Sequence, residues 1–184
     1  MKRGSILEWG VKIVTGLFAL FGGFLTFIAP PEESNSRFAV GLASFLALVA
    51  LLLISALVKR PLTKRSRRRW IAAAVAFLAL ALGASLAYRW NLDRLTFPYP
   101  PESTRAEYVA GTRLTTDAQK HLEENPGETI SSVLADYGGP ENREMVWPPD
   151  AIRSARLLLL VNYIGLVLSM AAAIFCLTES VLSK

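Results

Sequence analysis

Histidine and cysteine occur once each in this chain, as His121 and Cys176. A single histidine with no cysteine partner and no second histidine argues against a zinc site, and its place on a polar stretch reads as solvated. It also leaves no Ser/His/Asp constellation. A lone Cys176 forms no internal disulfide, so the long segment before it must hold by packing, by its tethers or against other subunits. Cys176 itself reads as a small apolar packing residue. Charge is scarce as well: Asp, Glu, Lys and Arg make up 19% of the chain, against roughly 25% in an ordinary soluble domain. No phosphate-cradling glycine loop and no dinucleotide fingerprint is present. Glu123, Glu124 and Glu128 gather around one turn, but not at the spacing of a calcium loop. The expectation is a protein without enzyme activity, with no catalytic residue, no metal ligand and no cofactor.

Apolar residues are what the chain has in excess: 52% of it is hydrophobic and mean hydropathy is +0.36. Asp, Glu, Lys and Arg are missing from 13–31, 38–58, 70–88 and 157–178, together 81 of 184 residues. Each stretch is close to the ~20 residues with which a helix crosses a ~30 Å hydrocarbon layer. This excludes a soluble globular protein, a disordered chain and a disulfide scaffold. It predicts an all-α membrane protein of four transmembrane helices, with a small, mostly helical extracytoplasmic domain between the third and fourth. The expected order is an N-terminal tail and first span at 1–29, an outer loop at 30–37, a second span at 38–58 and a basic cytoplasmic loop at 59–69. A third span at 70–88, the extracytoplasmic domain at 89–148, a long helix containing the fourth span at 149–180 and a cytoplasmic tail at 181–184 follow.

The net charge of +5 is local in origin. Lys59, Arg60, Lys64, Arg65, Arg67, Arg68 and Arg69 stand together without an acidic residue among them. Short basic loops stay cytoplasmic, which puts both termini inside and 89–156 outside. Lys2 and Arg3 agree with that orientation, and Glu32 and Glu33 suit an outer loop. The external segment carries eight basic and eleven acidic residues, and a segment this long crosses largely regardless of charge. A basic loop pinned at both ends has no recognition element, so direct nucleic-acid binding is not expected. Anionic lipid or a cytoplasmic protein partner is. The first span lacks a small-x-small cleavage pattern before Pro30 and reads as an uncleaved anchor. Glu8, ahead of its apolar core, reads as an interfacial residue rather than a coupling carboxylate. The compact loops and the Arg- and Ala-rich composition point to a bacterial inner membrane.

Small residues recur at intervals of four within the spans: Ala39, Ala43 and Ala47; Ala79, Gly83 and Ala87; Gly165, Ser169 and Ala173. Such stripes allow helix backbones to approach closely, within a protomer or between protomers, and predict a homo-oligomer. The span interiors hold no ionisable side chain, which speaks against a proton-coupled transporter or an intramembrane protease. Asn162 is the strongly polar group at depth. It reads either as an interhelix hydrogen-bonding residue or as part of a pore lining. Trp147, Trp90 and Tyr88 stand where an aromatic belt is expected.

Between the last two spans, Arg89–Ser103 reads as an extended, proline-rich stretch and Tyr108–Thr112 as a short strand. Thr116–Glu124 reads as a helix capped by Thr115 or Thr116. Asn125-Pro126-Gly127 makes a turn and Thr129–Tyr137 a second helix ending at Gly138-Gly139. Pro149 starts the final long helix. Two short helices with small apolar faces predict a domain that is marginal by itself.

The run Tyr108-Val109-Ala110-Gly111-Thr112 with Leu114-Thr115, then Asn125-Pro126-Gly127, Tyr137-Gly138-Gly139-Pro140 and Val146-Trp147, leads into Arg153, Arg156 and an apolar span. Over roughly residues 100–180 it resembles the outer loop of small bacterial four-span membrane proteins encoded beside antiphage and other conflict systems. The resemblance implies a membrane sensor or membrane-disrupting effector that works with a cytoplasmic partner. Effectors of that sort often carry a fused signal-binding domain; none is in this sequence, so a second protein would supply the signal. Two readings follow: an oligomeric inner-membrane sensor or scaffold, and a gated pore that depolarises the membrane.

Overall fold

The computed structural model describes residues 30–31, 33–57, 64–100 and 106–182. The expected first span, Glu8, and the basic residues Lys59 and Arg60 lie outside these residues. The described elements are, in order, α1 (Glu33–Leu57), α2 (Lys64–Leu95), β1 (Thr96–Pro98), β2 (Ala106–Val109), α3 (Thr116–Glu124), α4 (Ile130–Asp136), a 3-10 turn (Pro140–Asn142), α5 (Arg143–Val146) and α6 (Pro149–Leu182). Three helices are long and apolar enough to cross a membrane, over Ser36–Ser55, Arg65–Leu95 and Pro149–Ser180.

Helix α2 is longer than the expected span in both directions. Its 32 residues give ~48 Å at ~1.5 Å per residue, well beyond the hydrocarbon core. Lys64 through Arg69 are therefore helix and not loop, which corrects the expected boundary at 70. Lys and Arg are good helix formers, and no proline interrupts 64–95. The expected extended stretch likewise starts late, because Arg89–Leu95 remains helical. There the Arg89 guanidinium pairs with Asp93 one turn on, at 3.3 Å. Thr96 Oγ1 donates to the Leu92 carbonyl at 2.6 Å, and β1 follows.

The chain forms two compact units. The first comprises, among the described residues, Arg37–Leu86 and the part of α6 from Tyr163 on. In it α1 buries Ala39, Ala43 and Ala47, one residue per turn, while Phe38, Phe45, Leu52 and Leu53 are exposed. That distribution is the reverse of a soluble helix: small residues face inward and large apolar ones outward, as lipid contact requires. Helix α6 is the most enclosed of the three, with 44% of its most apolar window buried against 17% and 11% for α1 and α2. Trp70, near the start of α2, meets Phe175, near the end of α6, edge to face at 6.2 Å.

The second unit is Pro30–Ser36 with Ala87–Asn162. Strands β1 and β2 pair antiparallel, Thr96 opposite Val109 and Phe97 opposite Tyr108, with a register shift before Pro98. Around this ribbon, Phe97, Ala110, Ala118, Val133, Leu134, Val146, Trp147 and Ile152 make one buried cluster. Tyr99, Tyr108, Leu114, Leu122 and Tyr137 pack against it. Phe97 stacks on Trp147 at 5.1 Å and on Tyr108 at 5.9 Å. Two expectations are corrected here. Trp147 is 2% exposed and Tyr88 4% exposed, so both are core residues, whereas Trp90, at 72%, remains on the surface. The segment is also better packed than two short helices would be, because the aromatic stretch before it supplies Phe97 and the connection into α6 supplies Trp147.

Gly111 marks the closest approach in this core. A Cβ there would sit 2.6 Å from Trp147 Cβ and 2.8 Å from its ring. Gly111→Ala is expected to destabilise the unit by ~1–3 kcal/mol through overpacking. Gly83→Ala, with nothing within 4 Å and in the interior of a helix, should be neutral to stabilising by up to about 1 kcal/mol. Denaturant melts of the two variants, followed by near-ultraviolet circular dichroism, test this; equal midpoints would refute the close packing of Gly111.

Candidate functional site

The basic segment is placed by α2. Arg65, Arg67, Arg68 and Arg69 occupy its first two turns and all four are exposed. At ~100° per residue they spread over an arc of about 200°, and Ser66 and Trp70 take the remaining sector. No acidic residue is present in the first turn, so the cations add to the positive end of the helix dipole. Among the described residues, no ion pair involves these arginines. Positive charge is thus concentrated directly before Trp70 and the apolar part of the helix.

The small-residue stripes divide. Ala39, Ala43 and Ala47 are buried in the first unit, and so are Ser169 and Ala173, with Gly165 half-buried. Ala79, Gly83 and Ala87 are exposed. The buried positions of α2 are Ala74, Ala81, Tyr88 and Leu95, seven residues apart. An alanine-rich helix carries several such stripes, and spacing by four does not choose among them; a seven-residue seam was the signal to look for. Glu179 and Ser180 are buried as well, which composition alone did not single out. Glu179 is partnered.

The polar side chains Ser169 and Asn162 lie in the apolar part of α6. Ser169 Oγ donates to the Gly165 carbonyl of its own helix at 2.7 Å. Asn162 is half-buried, and its Nδ2 is shut from solvent without an acceptor among the described residues.

In the second unit, the helical hairpin α3–α4 holds the histidine. Thr115 caps α3, its Oγ1 accepting from Ala118 N at 3.3 Å and donating to the Met145 carbonyl at 2.8 Å. Asn125 closes α3, its backbone N–H and its Nδ2 both donating to the His121 carbonyl at 3.0 Å. Gly127, at φ +123°, takes a left-handed turn that a side chain would disfavour. Thr129 then caps α4 by accepting from Ser132 N at 3.2 Å. The expected acidic cluster separates: Glu123 accepts from Gln119, Glu124 pairs with Lys120, and Glu128 turns to His121. His121 is thus not a solvated side chain but a partnered one, and sequence reasoning missed this because its partner lies across the turn. Each cap forms from residues adjacent in sequence, and Thr129→Ala is expected to cost about 1 kcal/mol of hairpin stability.

No protein-family model, no curated protein and no solved structure matches this chain.

Proposed function

We propose that the protein is a non-enzymatic, oligomeric sensor or scaffold of a bacterial inner membrane. In this reading the aromatic-cored unit lies outside and perceives, and the basic start of α2 lies inside and meets anionic lipid or a cytoplasmic partner. The observation that carries it is helix α6. Its first turns contribute buried Ala151, Ile152 and Ala155 to the second unit. The same unbroken helix contributes Tyr163, Leu166, Val167 and Cys176 to the buried part of the first. In this reading α6, which carries residues of both units, is the element through which they would communicate. The resemblance to four-span proteins of antiphage systems fits such a relay and adds a role in defence.

The arginine arc favours a headgroup layer over a narrow protein groove, because its charges spread over more than half of the helix circumference. A pore is the competing reading. The self-satisfied Ser169 and the enclosed Asn162 amide are poorly suited to a wet lumen. The test is reconstitution of the full chain in vesicles holding a potassium gradient, with the native mass of the extracted particle measured in parallel. The expected result is a mass that is a multiple of 20.2 kDa and an undissipated gradient. Ion flux that Asn162→Leu abolishes would overturn the scaffold in favour of the pore.

A further inference from the structure

One side-chain cluster in the second unit stands outside the proposed function. His121 lies on α3, Glu128 in the turn after it and Asp136 at the end of α4. Each offers one donor atom, and the three atoms lie within 4.8 Å of one another. His121 Nε2 and Glu128 Oε2 are 3.0 Å apart. We propose that these three residues form a binding site for a first-row divalent transition-metal ion, zinc foremost, with water completing the coordination.

The donor set selects the ion. One imidazole nitrogen with two carboxylate oxygens suits zinc and its neighbours, whereas magnesium and calcium favour all-oxygen sites. Charge points the same way. Two carboxylates are drawn to one place, and among the described residues neither forms an ion pair with a lysine or arginine: Arg89 pairs with Asp93, Lys120 with Glu124 and Arg113 with Asp150. Like charges held together call for a compensating cation. A hydrogen bond between His121 and Glu128 accounts for that pair and leaves the convergence of Asp136 unexplained.

The backbone holds each donor separately. His121 is anchored by the double capping of its carbonyl by Asn125. Glu128 is brought back by the Gly127 turn, and its N–H donates to the Asn125 carbonyl at 3.2 Å. Asp136 sits in the last turn of a helix closed by Tyr137, whose ring lies edge-on to the imidazole at 6.5 Å. The site is reachable, with the His121 and Glu128 side chains each 34% exposed. Tetrahedral ligands at ~2.1 Å from zinc stand ~3.4 Å apart, so the present spread closes onto an ion with side-chain shifts of ~1 Å. A bound ion ties α3 to both ends of α4, and the stability of the hairpin then follows the free-ion concentration. This assignment does not depend on the sensor reading.

The experiment is calorimetric titration of zinc chloride into the full-length, untagged, chelator-stripped protein in detergent, with thermal melts of the same samples. The expected result is one zinc per chain and a melt that rises with zinc. His121→Gln, which retains a donor toward Glu128, and Asp136→Asn, which leaves the His121–Glu128 contact in place, should each weaken binding by at least the ~100-fold that loss of an outer-shell partner can cost. Glu123→Gln should bind as the unaltered chain does. Absence of binding, or equal binding by the unaltered chain and both ligand variants, overturns the proposal.

Discussion

Trp147→Ala should unfold most of the second unit while leaving the long helices intact. Trp147 is among the largest side chains that are wholly enclosed, and it lies under Phe97 at 5.1 Å. Removing a buried tryptophan costs about 3–5 kcal/mol through lost transfer energy and the cavity left behind. Loss of the ring stacking adds about 0.5–1.5 kcal/mol. A small domain has only about 5–15 kcal/mol to lose, and one without disulfides sits toward the lower end. The variant should therefore lose its near-ultraviolet circular dichroism and become protease-sensitive within 96–150. Far-ultraviolet ellipticity should persist, because α1, α2 and α6 hold most of the helical residues. Trp147→Phe keeps the ring contact and should cost less. An alanine variant that melts like the unaltered chain would show that Trp147 is not the centre of this core.

Replacing Arg65, Arg67, Arg68 and Arg69 together by glutamine should remove any preference of the protein for anionic lipid. Glutamine is nearly as good a helix former as arginine, so the start of α2 should stay helical. Each basic residue near an anionic surface contributes about 1 kcal/mol. Four of them amount to roughly a thousandfold preference at low salt, and screening at physiological salt lowers it. The measurement is the ratio of anionic to zwitterionic lipid that remains with the particle after extraction in a lipid-retaining polymer. The expected outcome is strong anionic enrichment for the unaltered chain, reproduced loss in high salt, and no enrichment in the variant. In the proposed topology the same four charges would fix the orientation, so a fraction of the variant should insert inverted. An unchanged lipid ratio at low salt would dismiss lipid as the counter-charge and leave a protein partner.

Local features were legible residue by residue. Thr115 and Thr129 as caps, the turn through Gly127 and the start of α6 at Pro149 each depend on neighbours within four positions. Where local reading went wrong, it did so for a local reason. The run of charge at Lys64–Arg69 suggests a loop, yet these residue types sustain a helix once no proline intervenes. The burial of Trp147 and the pairing of His121 were not legible. Trp147 meets Phe97, fifty positions away in the chain, and His121 meets Glu128 only because Gly127 reverses the backbone between them.

By itself, then, the sequence determined which segments are long and apolar enough to cross a membrane, where positive charge concentrates, and where helices of the second unit begin and end. These properties follow from composition, period and capping, each carried by residues close together in the chain. Tertiary structure alone decided that Ala74 and Ala81 rather than Ala79 and Gly83 face inward on α2, that Trp147 is core rather than interface, and that His121, Glu128 and Asp136 share one place. The physical reason is common to all three. Several faces of an alanine-rich helix, and several surroundings of an aromatic or polar side chain, are equally compatible with the local pattern. Which one is realised is set by shape and charge complementarity with segments distant in sequence.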